Sequence, residues 1–362
     1  MPWNLGDNVI IENGVARIGN SDVRRLTRHR LRVGDIVLSR RGDVGRRSIV
    51  RAENADWLCG TGCLAVRFGR ELRNVNPSFV AYYIGTHAAQ AWLVDNAVGG
   101  TMLNLNTRIL GSLPILLSDR LAQDRAVAAL DAAVARDNSL VRLVAKKRAI
   151  KQGMMQELLT GRARLSGFSS SWEIKTFGDI AAPVRDKTIP ANSSGRVIEL
   201  EHIEQGTGRL LGDADVRGSI SLKTRFAKGD VLFGKLRAYL RKYWFADRDG
   251  YCSTEIWALR AHRGAAVGEY VRYVVEQDGF IAAASTAHGT HMPRSDWSVV
   301  SRWELAVPSI DEQRAIARVL GDSDAEIEAL ERRLEATRAI KQGMMQELLT
   351  GRTRLSVEGE AA

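Results

Sequence analysis

Two long stretches of the chain, from Gln123 and from Glu312 onward, consist of helix-forming residues. Their apolar side chains recur at heptad spacing, that is, at intervals of seven residues. Such spacing is typical of an amphipathic helix in a coiled coil. About 35 residues of helix would extend roughly 50 Å. Because two similar helices can bury each other's apolar stripes, the pattern predicts a pair of long antiparallel helices. The seam positions are Ile316, Leu320, Ile327, Leu330, Leu334, Met344 and Leu348 in the second stretch and Leu130, Val134, Val141, Val144 and Leu158 in the first.

Each long helix follows a mixed region in which short apolar runs alternate with turn residues. A Gly-Asp turn, at Gly34-Asp35 and again at Gly229-Asp230, starts an apolar run that a basic loop joins to a second run. Helical stretches follow, PSFVAYYIGTHAAQAWL and GEYVRYVVEQDGFIAAA, and each leads to a Gly-Thr turn. A last strand is predicted near SLPILL and near LAVPSI. The predicted fold class is α+β, with two mixed α/β globular regions separated by the long helices in a pseudo-two-fold repeat.

The same fifteen residues, RAIKQGMMQELLTGR, occur at 148–162 and again at 338–352, although the sequences between them have diverged. A segment kept constant inside a divergent duplication indicates that both copies have the same function. Duplication without functional pressure would instead predict similarity along the whole repeat. Gly161 and Gly351 suit the left-handed position that ends a helix. Residues 167 to about 197 have no counterpart before Met1. The first region therefore either lacks its opening strand or receives a complementary segment from elsewhere.

These patterns predict five segments. They are a first globular region over residues 1–118, a first helix over 119–165, a second globular region over 166–309, a second helix over 310–356 and a disordered tail over 357–362.

Composition indicates a soluble globular protein with a polyanionic partner. The 362 residues are 45% hydrophobic and 26% charged, and no run approaches the ~20 apolar residues of a membrane span. The N-terminal residues show no secretion signal, and three cysteines are too few for a disulfide framework, so we expect a cytoplasmic protein. A net charge of +10 favours binding to nucleic acid, because neutralised phosphates release counterions.

The motifs of common enzymes are absent from the sequence. It has no phosphate-binding loop and no Gly-x-Ser-x-Gly nucleophile motif. Asn76-Pro77-Ser78-Phe79 is close to the Asn-Pro-Pro-aromatic motif of amino-methyltransferases, but it lacks the second proline and is better interpreted as a turn before a helix. Cys59 and Cys63, like His288 and His291, lack the further ligands of a zinc site. Cys59 and Cys252 occupy matching positions in LCGTGCLAVR and YCSTEIWALR, which favours a packing role. We predict no catalytic residue, no metal and no cofactor in this chain.

Basic loops and Gly-Thr loops supply the candidate DNA contacts. Arginine pairs with phosphates or guanine edges, and asparagine can pair with adenine. The alternatives are a solvated surface for the basic loops and simple turn closure for the other polar residues. The predicted DNA-binding residues are Arg40, Arg41, Arg46, Arg47, Thr101, Asn104, Asn106 and Arg108 in the first half, and Lys235, Arg237, Tyr239, Arg241, Lys242, Thr290, His291 and Arg294 in the second.

Apolar side chains of the duplicated segment are candidates for binding a partner. Methionine adapts well to irregular partner surfaces, but packing within the chain is an equally good interpretation. The residues are Met154, Met155, Leu158 and Leu159 in the first copy, and Met344, Met345, Leu348 and Leu349 in the second.

Two divergent globular regions, each followed by a long helix that ends in a near-identical KQGMMQELLTGRxRL, together resemble the DNA-specificity subunit of a type I restriction-modification system. The resemblance covers almost the whole chain. Its marks are the duplicated QELLTGR, the Gly-Asp turns at Gly34 and Gly229, and the proline and Gln-Arg residues that start the second helix at Pro308 and Gln313. The first helix departs from this pattern, with Pro114 followed by Gln123-Asp124-Arg125.

The resemblance implies a non-catalytic adaptor. Each globular region would be a target-recognition domain that reads one half of a bipartite, asymmetric site in double-stranded DNA, and the helices would set the interval between the halves. Two methyltransferase subunits would bind the conserved helices, and restriction subunits would join them. S-adenosylmethionine, ATP and Mg are then expected on the partner subunits, and no membrane is involved. The alternatives are a DNA-binding adaptor of another defence complex and a nuclease with an unrecognised active site.

Overall fold

The computed structural model describes residues 1–190, 193–286 and 293–353. The chain forms two compact units, each of which combines one globular region with parts of both long helices. Unit 1 comprises Met1–Arg142 and the residues from Glu331 onward, and unit 2 comprises Leu143–Leu330. The predicted tail over residues 357–362 lies outside the described residues.

Unit 1 is built on a three-stranded antiparallel sheet whose central strand lies between the other two. Gly34, with a φ of 86°, makes the turn before this strand, and Ile36 lies opposite both Ile49 and Val66. Helical residues such as Leu93 cover the sheet and complete a core in which Ile36 is fully buried. The elements are α1 (Asn20–Arg25), β1 (Ile36–Ser39), β2 (Arg47–Ile49), β3 (Cys63–Val66), α2 (Pro77–Ile84), α3 (His87–Asn96), α4 (Thr107–Gly111) and the long helix α5 (Arg120–Leu158).

Unit 2 repeats this sheet and adds strands around it. Val231 lies opposite Phe245 and Leu259, as Ile36 lies opposite Ile49 and Val66, so the predicted correspondence of the Gly-Asp strands is confirmed. The strands run in the orders β11-β10-β13-β5, β6-β9-β12-β7-β8 and β14-β4. The elements are β4 (Glu173–Thr176), α6 (Phe177–Ile180), β5 (Ala181–Pro183), β6 (Lys187–Thr188), β7 (Arg196–Ile198), β8 (Ala214–Asp215), β9 (Lys223–Phe226), β10 (Val231–Gly234), β11 (Tyr243–Phe245), β12 (Gly250–Ser253), β13 (Ile256–Ala261), α7 (Gly268–Val274), α8 (Asp278–Ser285), α9 (Trp297–Val300), β14 (Glu304–Val307) and the long helix α10 (Ile310–Leu349).

The strand predicted just before each long helix forms only in unit 2. There β14 pairs antiparallel with β4, with Leu305 opposite Lys175. The prediction near SLPILL is wrong, because residues 113–119 of unit 1 adopt no strand. The physical reason is the missing partner: β4 belongs to the segment after residue 167, and no strand in the described part of unit 1 takes its place.

The two long helices pack side by side within each unit. In unit 1, Leu130 of α5 shares a core with Met345 of α10, and in unit 2, Leu159 of α5 shares a core with Leu320 of α10. In unit 2 the ion pair between Lys147 and Glu326 lies along the same pair of helices. Residues further along α5 therefore contact residues nearer the start of α10. This order confirms the predicted antiparallel pairing.

One predicted seam position is wrong. Val141 is 41% exposed, and the neighbouring Leu140 takes the buried place in α5. The seam of the first copy therefore runs through Leu140 and Val144, and it includes the buried Asp137, which faces Lys341 at 3.6 Å.

A buried glutamine joins each long helix to its globular region. The Gln123 Oε1 accepts a hydrogen bond from the Asn76 backbone N–H at 2.8 Å, and the Gln313 Oε1 accepts one from Val267 at 3.1 Å. Each Nε2 donates to two backbone carbonyls of its own unit. The side-chain amide thus replaces hydrogen bonds that the irregular backbone ahead of the helix lacks.

Candidate DNA interface and docking surface

In unit 1 the basic loop after β1 is hydrogen-bonded to the Gly-Thr loop. The Leu105 N–H donates to the Arg40 carbonyl at 2.9 Å, and Arg41 forms a β-bridge with Asn104. The Gly42 N–H donates to the Leu103 carbonyl at 3.0 Å. The two loops that the sequence nominates separately are therefore one surface at one end of the sheet.

Unit 2 joins the corresponding loops through the same hydrogen bonds. The Ser295 N–H donates to the Lys235 carbonyl at 3.0 Å, and Leu236 forms a β-bridge with Arg294. The Arg237 N–H donates to the Pro293 carbonyl at 2.9 Å. Thr290 and His291, which belong to the predicted contact set, lie outside the described residues.

This correspondence places Arg237 where unit 1 has Gly42. Both residues have a left-handed backbone, with φ of 54° at Arg237 and 75° at Gly42. The conformation is free for glycine but costs other residues of order 1 kcal/mol, and such strain concentrates at functional sites. An exposed arginine at this position is therefore retained against a local conformational cost.

The predicted basic residues of unit 1 have different surroundings. Arg41 is exposed, whereas Arg40 is half-buried. Arg46 is exposed and paired with Asp43. Arg47 is buried: its Nε donates to the Ala81 carbonyl at 2.6 Å, and burial is the main cause of its lowered pKa. This placement argues against a DNA contact by Arg47, whose guanidinium holds the sheet to α2.

The other Arg47 contact explains why the sequence misleads. Its Nη2 donates to the Asp7 carboxylate at 2.7 Å, and this partner lies 40 positions away in the chain. A cluster of arginines in the sequence does not distinguish a side chain with a distant partner from one that points to solvent.

The polar residues near the Gly-Thr loop of unit 1 also separate into two kinds. Thr101 and Arg108 are exposed, and Asn104 is half-buried beside Arg41. The Asn106 side chain caps α4 by accepting from the Ile109 N–H at 2.8 Å. Asn106 therefore closes a turn, which is the alternative interpretation that the sequence left open.

In unit 2 the exposed members of the loop are Arg237 and Tyr239, whose side chain is 55% exposed. Burial lowers the pKa of the half-buried Lys235. Three other predicted residues have partners within the unit: Arg241 binds the Glu276 carbonyl and Asp278, Lys242 donates to the Leu200 carbonyl, and Arg294 binds Glu255.

An ion pair between a buried aspartate and an exposed arginine, which sequence reasoning missed, supports each sheet. Arg67 donates from two nitrogens to Asp35 at 2.8 and 2.6 Å, and Arg260 does the same to Asp230 at 2.8 and 2.7 Å. In the sequence both arginines end the paired motifs LAVR and WALR, which is the signal that was available. Hydrogen bonding to the carboxylate raises the pKa of each arginine.

The apolar residues proposed for partner docking lie inside the two units. Met155, Leu158, Leu159, Met345, Leu348 and Leu349 are buried, and Met154 and Met344 pack against the same cores. Because a helix presents only one stripe to the core, the opposite stripe of the repeat is the exposed one. In both copies this stripe has the same composition and consists of Ala149, Ile150, Gln152, Gly153 and Gln156, with Ala339, Ile340, Gln342, Gly343 and Gln346 as the second set.

The duplicated isoleucine is the apolar centre of each exposed stripe. Ile150 is 45% exposed and Ile340 is 63% exposed. Glycines at positions 153 and 343 leave the neighbouring surface low. Apart from chain neighbours and the helix's own backbone, no described atom lies within 4 Å of where a side chain would begin. A partner helix can approach such a surface closely.

The described residues form neither a membrane span nor a cluster of metal ligands. Among them, no helix is long and apolar enough to cross a membrane. Across the same ranges, no three His, Cys, Asp or Glu side chains group as metal ligands.

The two units present the same pair of joined loops, and each contains one copy of the duplicated helix segment. This internal repeat resembles the fold of type I restriction-modification specificity subunits. The chain resembles such subunits in sequence and in fold, as the duplicated QELLTGR segment predicted. The specificity subunit of the type I restriction enzyme EcoDI from Escherichia coli is 22% identical over 208 residues, which are 57% of this chain and 45% of that subunit. The match thus spans less than half of the length of this relative. No protein-family model matches the chain.

Two solved structures share the fold. The S subunit of a type I restriction-modification system from M. genitalium matches with a TM-score of 0.55 and 14% identity, over 89% of this chain and 84% of that one. A structure that describes complex assembly and conformational transition of a type I R-M system matches with a TM-score of 0.56 and 16% identity, over 90% of this chain and 83% of that one.

Proposed function

We propose that the chain is the DNA-specificity subunit of a type I restriction-modification complex, in which it acts as a non-catalytic adaptor. Each unit reads one half of a bipartite, asymmetric site in double-stranded DNA. The observation that carries this proposal is the pair of joined loops: the hydrogen bonds that connect them are the same in both units, while the exposed side chains differ. A constant frame with variable side chains suits two readers of unlike sequences.

In unit 2 the reading residues are Arg237 and Tyr239. The Arg237 guanidinium is exposed, and it has no hydrogen bond or ion pair with another described residue. A free guanidinium fork matches the two acceptors of a guanine edge in the major groove. Tyr239 adds an exposed aromatic ring next to it. Arg241 and Lys242 support the loop through their contacts within the unit.

In unit 1 the corresponding position is Gly42, so the reading role passes to neighbouring side chains. Arg41 and Asn104 lie side by side across their β-bridge. An asparagine amide pairs with adenine through two hydrogen bonds, whereas a single arginine favours guanine or a phosphate. The two units therefore recognise different half-sites, which makes the whole site asymmetric.

The exposed stripes of the repeat are the binding surfaces for two methyltransferase subunits. Identical side chains at Ile150 and Ile340, with the same neighbours, present one surface twice. Because identical surfaces bind identical partners, the stoichiometry is two partner subunits for each chain. Restriction subunits then join the complex. S-adenosylmethionine, ATP and Mg bind to the partner subunits.

The DNA part of the proposal is tested by comparing two exposed arginines, Arg237 in the loop after β10 and Arg263 in the turn after the neighbouring antiparallel strand β13. Arg237→Ala is expected to weaken binding by about tenfold or more, since a base-reading arginine contributes ~1 to 3 kcal/mol, and to relax one position of the site. Arg263→Ala, in the turn after β13, is the control and should bind normally. DNA affinity is measured by fluorescence anisotropy across a panel of single-base variants of the site. If Arg237→Ala keeps full affinity for every sequence, the loop is outside the interface.

The docking part is tested by stoichiometry. Ile150→Asp changes one stripe only, so native mass spectrometry should find one methyltransferase subunit per chain instead of two. The double variant with Ile340→Asp should bind none, although its circular dichroism spectrum stays that of the wild type because both residues are exposed. Two subunits bound to the double variant would exclude these stripes.

A further inference from the structure

A segment of unit 2 covers the end of its long helix. Gly161 follows the end of α5 with a φ of 72°. Trp172 lies against this glycine, and a side chain there would meet the ring at 3.3 Å. The Trp172 Nε1 donates to the Glu312 carboxylate at 3.0 Å. Leu165 packs against the same core. The ring therefore closes the junction between α5, α10 and the globular region of unit 2.

The same segment then supplies two strands and a short helix to unit 2. β4 pairs with β14, and Phe177 and Ile180 of α6 are fully buried. β5 then pairs with β13, with Ala182 opposite Arg260. One stretch of chain, residues 172–183, thus adds an aromatic plug, a strand beside β14 and a strand at the edge of the main sheet.

Unit 1 has the same surface, and none of its described residues covers it in this way. A groove of about 240 Å³ lies where the plug would be, lined by Phe79, Leu116, Leu117, Ala126, Leu348 and Gly351. Gly351 has a φ of 70°, almost the same as Gly161, but apart from its chain neighbours no described atom lies within 4 Å of where its side chain would begin. The repeat therefore ends in the same local geometry in both units, and among the described residues only the copy in unit 2 is covered.

Burial of the adjoining residues shows the same difference. Gln123 donates to the Ser118 carbonyl as Gln313 donates to that of Pro308, so Leu117 corresponds to Val307. Val307 is 3% exposed beside β4, whereas Leu117 is 50% exposed and Leu116 is 61% exposed. Two adjacent exposed leucines beside an apolar groove are typical of a protein-binding surface.

The outer edges of the two main sheets show the same difference between the units. In unit 2 the outer edge of β13 is paired with β5, but in unit 1 the corresponding β3 is the last strand of its sheet within the described residues. Unpaired strand edges readily accept another strand.

We propose that the groove of unit 1 is a docking site for an extended segment of a partner polypeptide, which adds a strand beside residues 114–117 and places an aromatic ring over Gly351. The occupant has the chemistry of residues 166–183: an aromatic side chain, a short strand, and then buried apolar side chains such as Phe177 and Ile180. Residues 166–183 themselves are used within unit 2 and therefore do not fill this groove. Ala122 stands where unit 2 has Glu312, so the ring needs no N–H donor and phenylalanine serves as well as tryptophan.

The test adds a fluorescein-labelled peptide of residues 166–183 to the full chain and measures anisotropy. Saturable binding is expected, with Trp172→Phe in the peptide within about twofold of the parent and Trp172→Ala weaker by about tenfold, since a tenfold change corresponds to 1.4 kcal/mol of lost burial. In the chain, Leu117→Lys should weaken binding by about tenfold or more. Leu121→Lys is the matched control, because Leu121 is also 60% exposed but does not line the groove.

Each outcome decides the proposal. Binding that responds to Leu117→Lys and to the ring substitution supports it. Absence of saturable binding overturns it, as does binding that Leu117→Lys and Leu121→Lys affect equally. If the chain alone forms a dimer that Leu117→Lys disrupts, a second copy fills the groove and a separate partner is excluded. The measurement is independent of DNA binding, so it stands or fails apart from the proposed function.

Discussion

Replacing the buried Gln313 tests how each long helix is fixed to its globular region. The side chain is fully buried, and its amide makes three hydrogen bonds with backbone groups of Val267, Ala265 and Pro308, at 3.1, 3.0 and 3.0 Å. Gln313→Ala removes all three and leaves those groups without partners. At about 1 kcal/mol for each hydrogen bond, with more for buried groups left unpaired, the expected loss is roughly 3 kcal/mol of the free energy of unfolding.

A second substitution separates hydrogen bonding from lost volume. Gln313→Glu keeps the size and the acceptor for the Val267 N–H, but its other oxygen faces two carbonyls and has no proton to donate when ionised. We expect a loss at least as large as that of alanine. The exposed Gln342, in the repeat, is the control, and its change to alanine should cost less than about 0.5 kcal/mol.

Urea unfolding gives the total loss, and hydrogen exchange measured by mass spectrometry locates it. The Val267 amide should lose protection in the Gln313→Ala variant, which removes its acceptor, while the Asn76 amide, held by Gln123 in unit 1, should keep it. A Gln313→Ala protein as stable as Gln342→Ala, or a Glu variant as stable as the wild type, would refute this account of the junction.

Two further predictions follow from buried charges. Arg47→Ala is expected to lower the stability of unit 1 by about 2 kcal/mol, since a charge-assisted and a backbone hydrogen bond are lost, while the folded variant binds DNA normally; reduced affinity with unchanged urea unfolding would contradict this. Burial raises the pKa of Glu276, so its stabilising contribution is present below the unfolded value of about 4.3 and is lost as the pH rises through the folded value. Glu276→Gln should therefore gain stability relative to the wild type as the pH rises above about 4.3, and a difference in urea midpoint that does not change with pH would contradict it.

The parts of the fold that local pattern determines are predictable from the sequence. The heptad spacing predicted the long helices, and the Gly-Asp turns predicted the central strands. Both predictions were possible because helix periodicity and left-handed turns depend on a few neighbouring residues. Val141 shows the limit of such patterns, since Val141 and Leu140 are adjacent apolar residues and only packing decides which one is buried.

Features that depend on distant partners were not predictable. Nothing local in SLPILL shows that its partner strand is absent, and the strand fails to form for that reason. Arg47 and Arg237 look alike in a list of basic residues, but one meets Asp7 and the other faces solvent. The docking residues misled for a related reason: a Met- and Leu-rich repeat predicts an apolar stripe without saying whether the chain itself covers it.

The central claim is that two unlike readers are carried by one chain, and selection of bound sequences from random duplex DNA tests it most directly. The complex of the chain with its methyltransferase partner should enrich a motif of two different half-sites separated by an unspecified interval of constant length. With Arg237→Ala, the sequence information content of the enriched motif should fall in one half-site only, and that of the other half-site should be unchanged. A single continuous motif, or a loss spread evenly over both halves, would contradict the account.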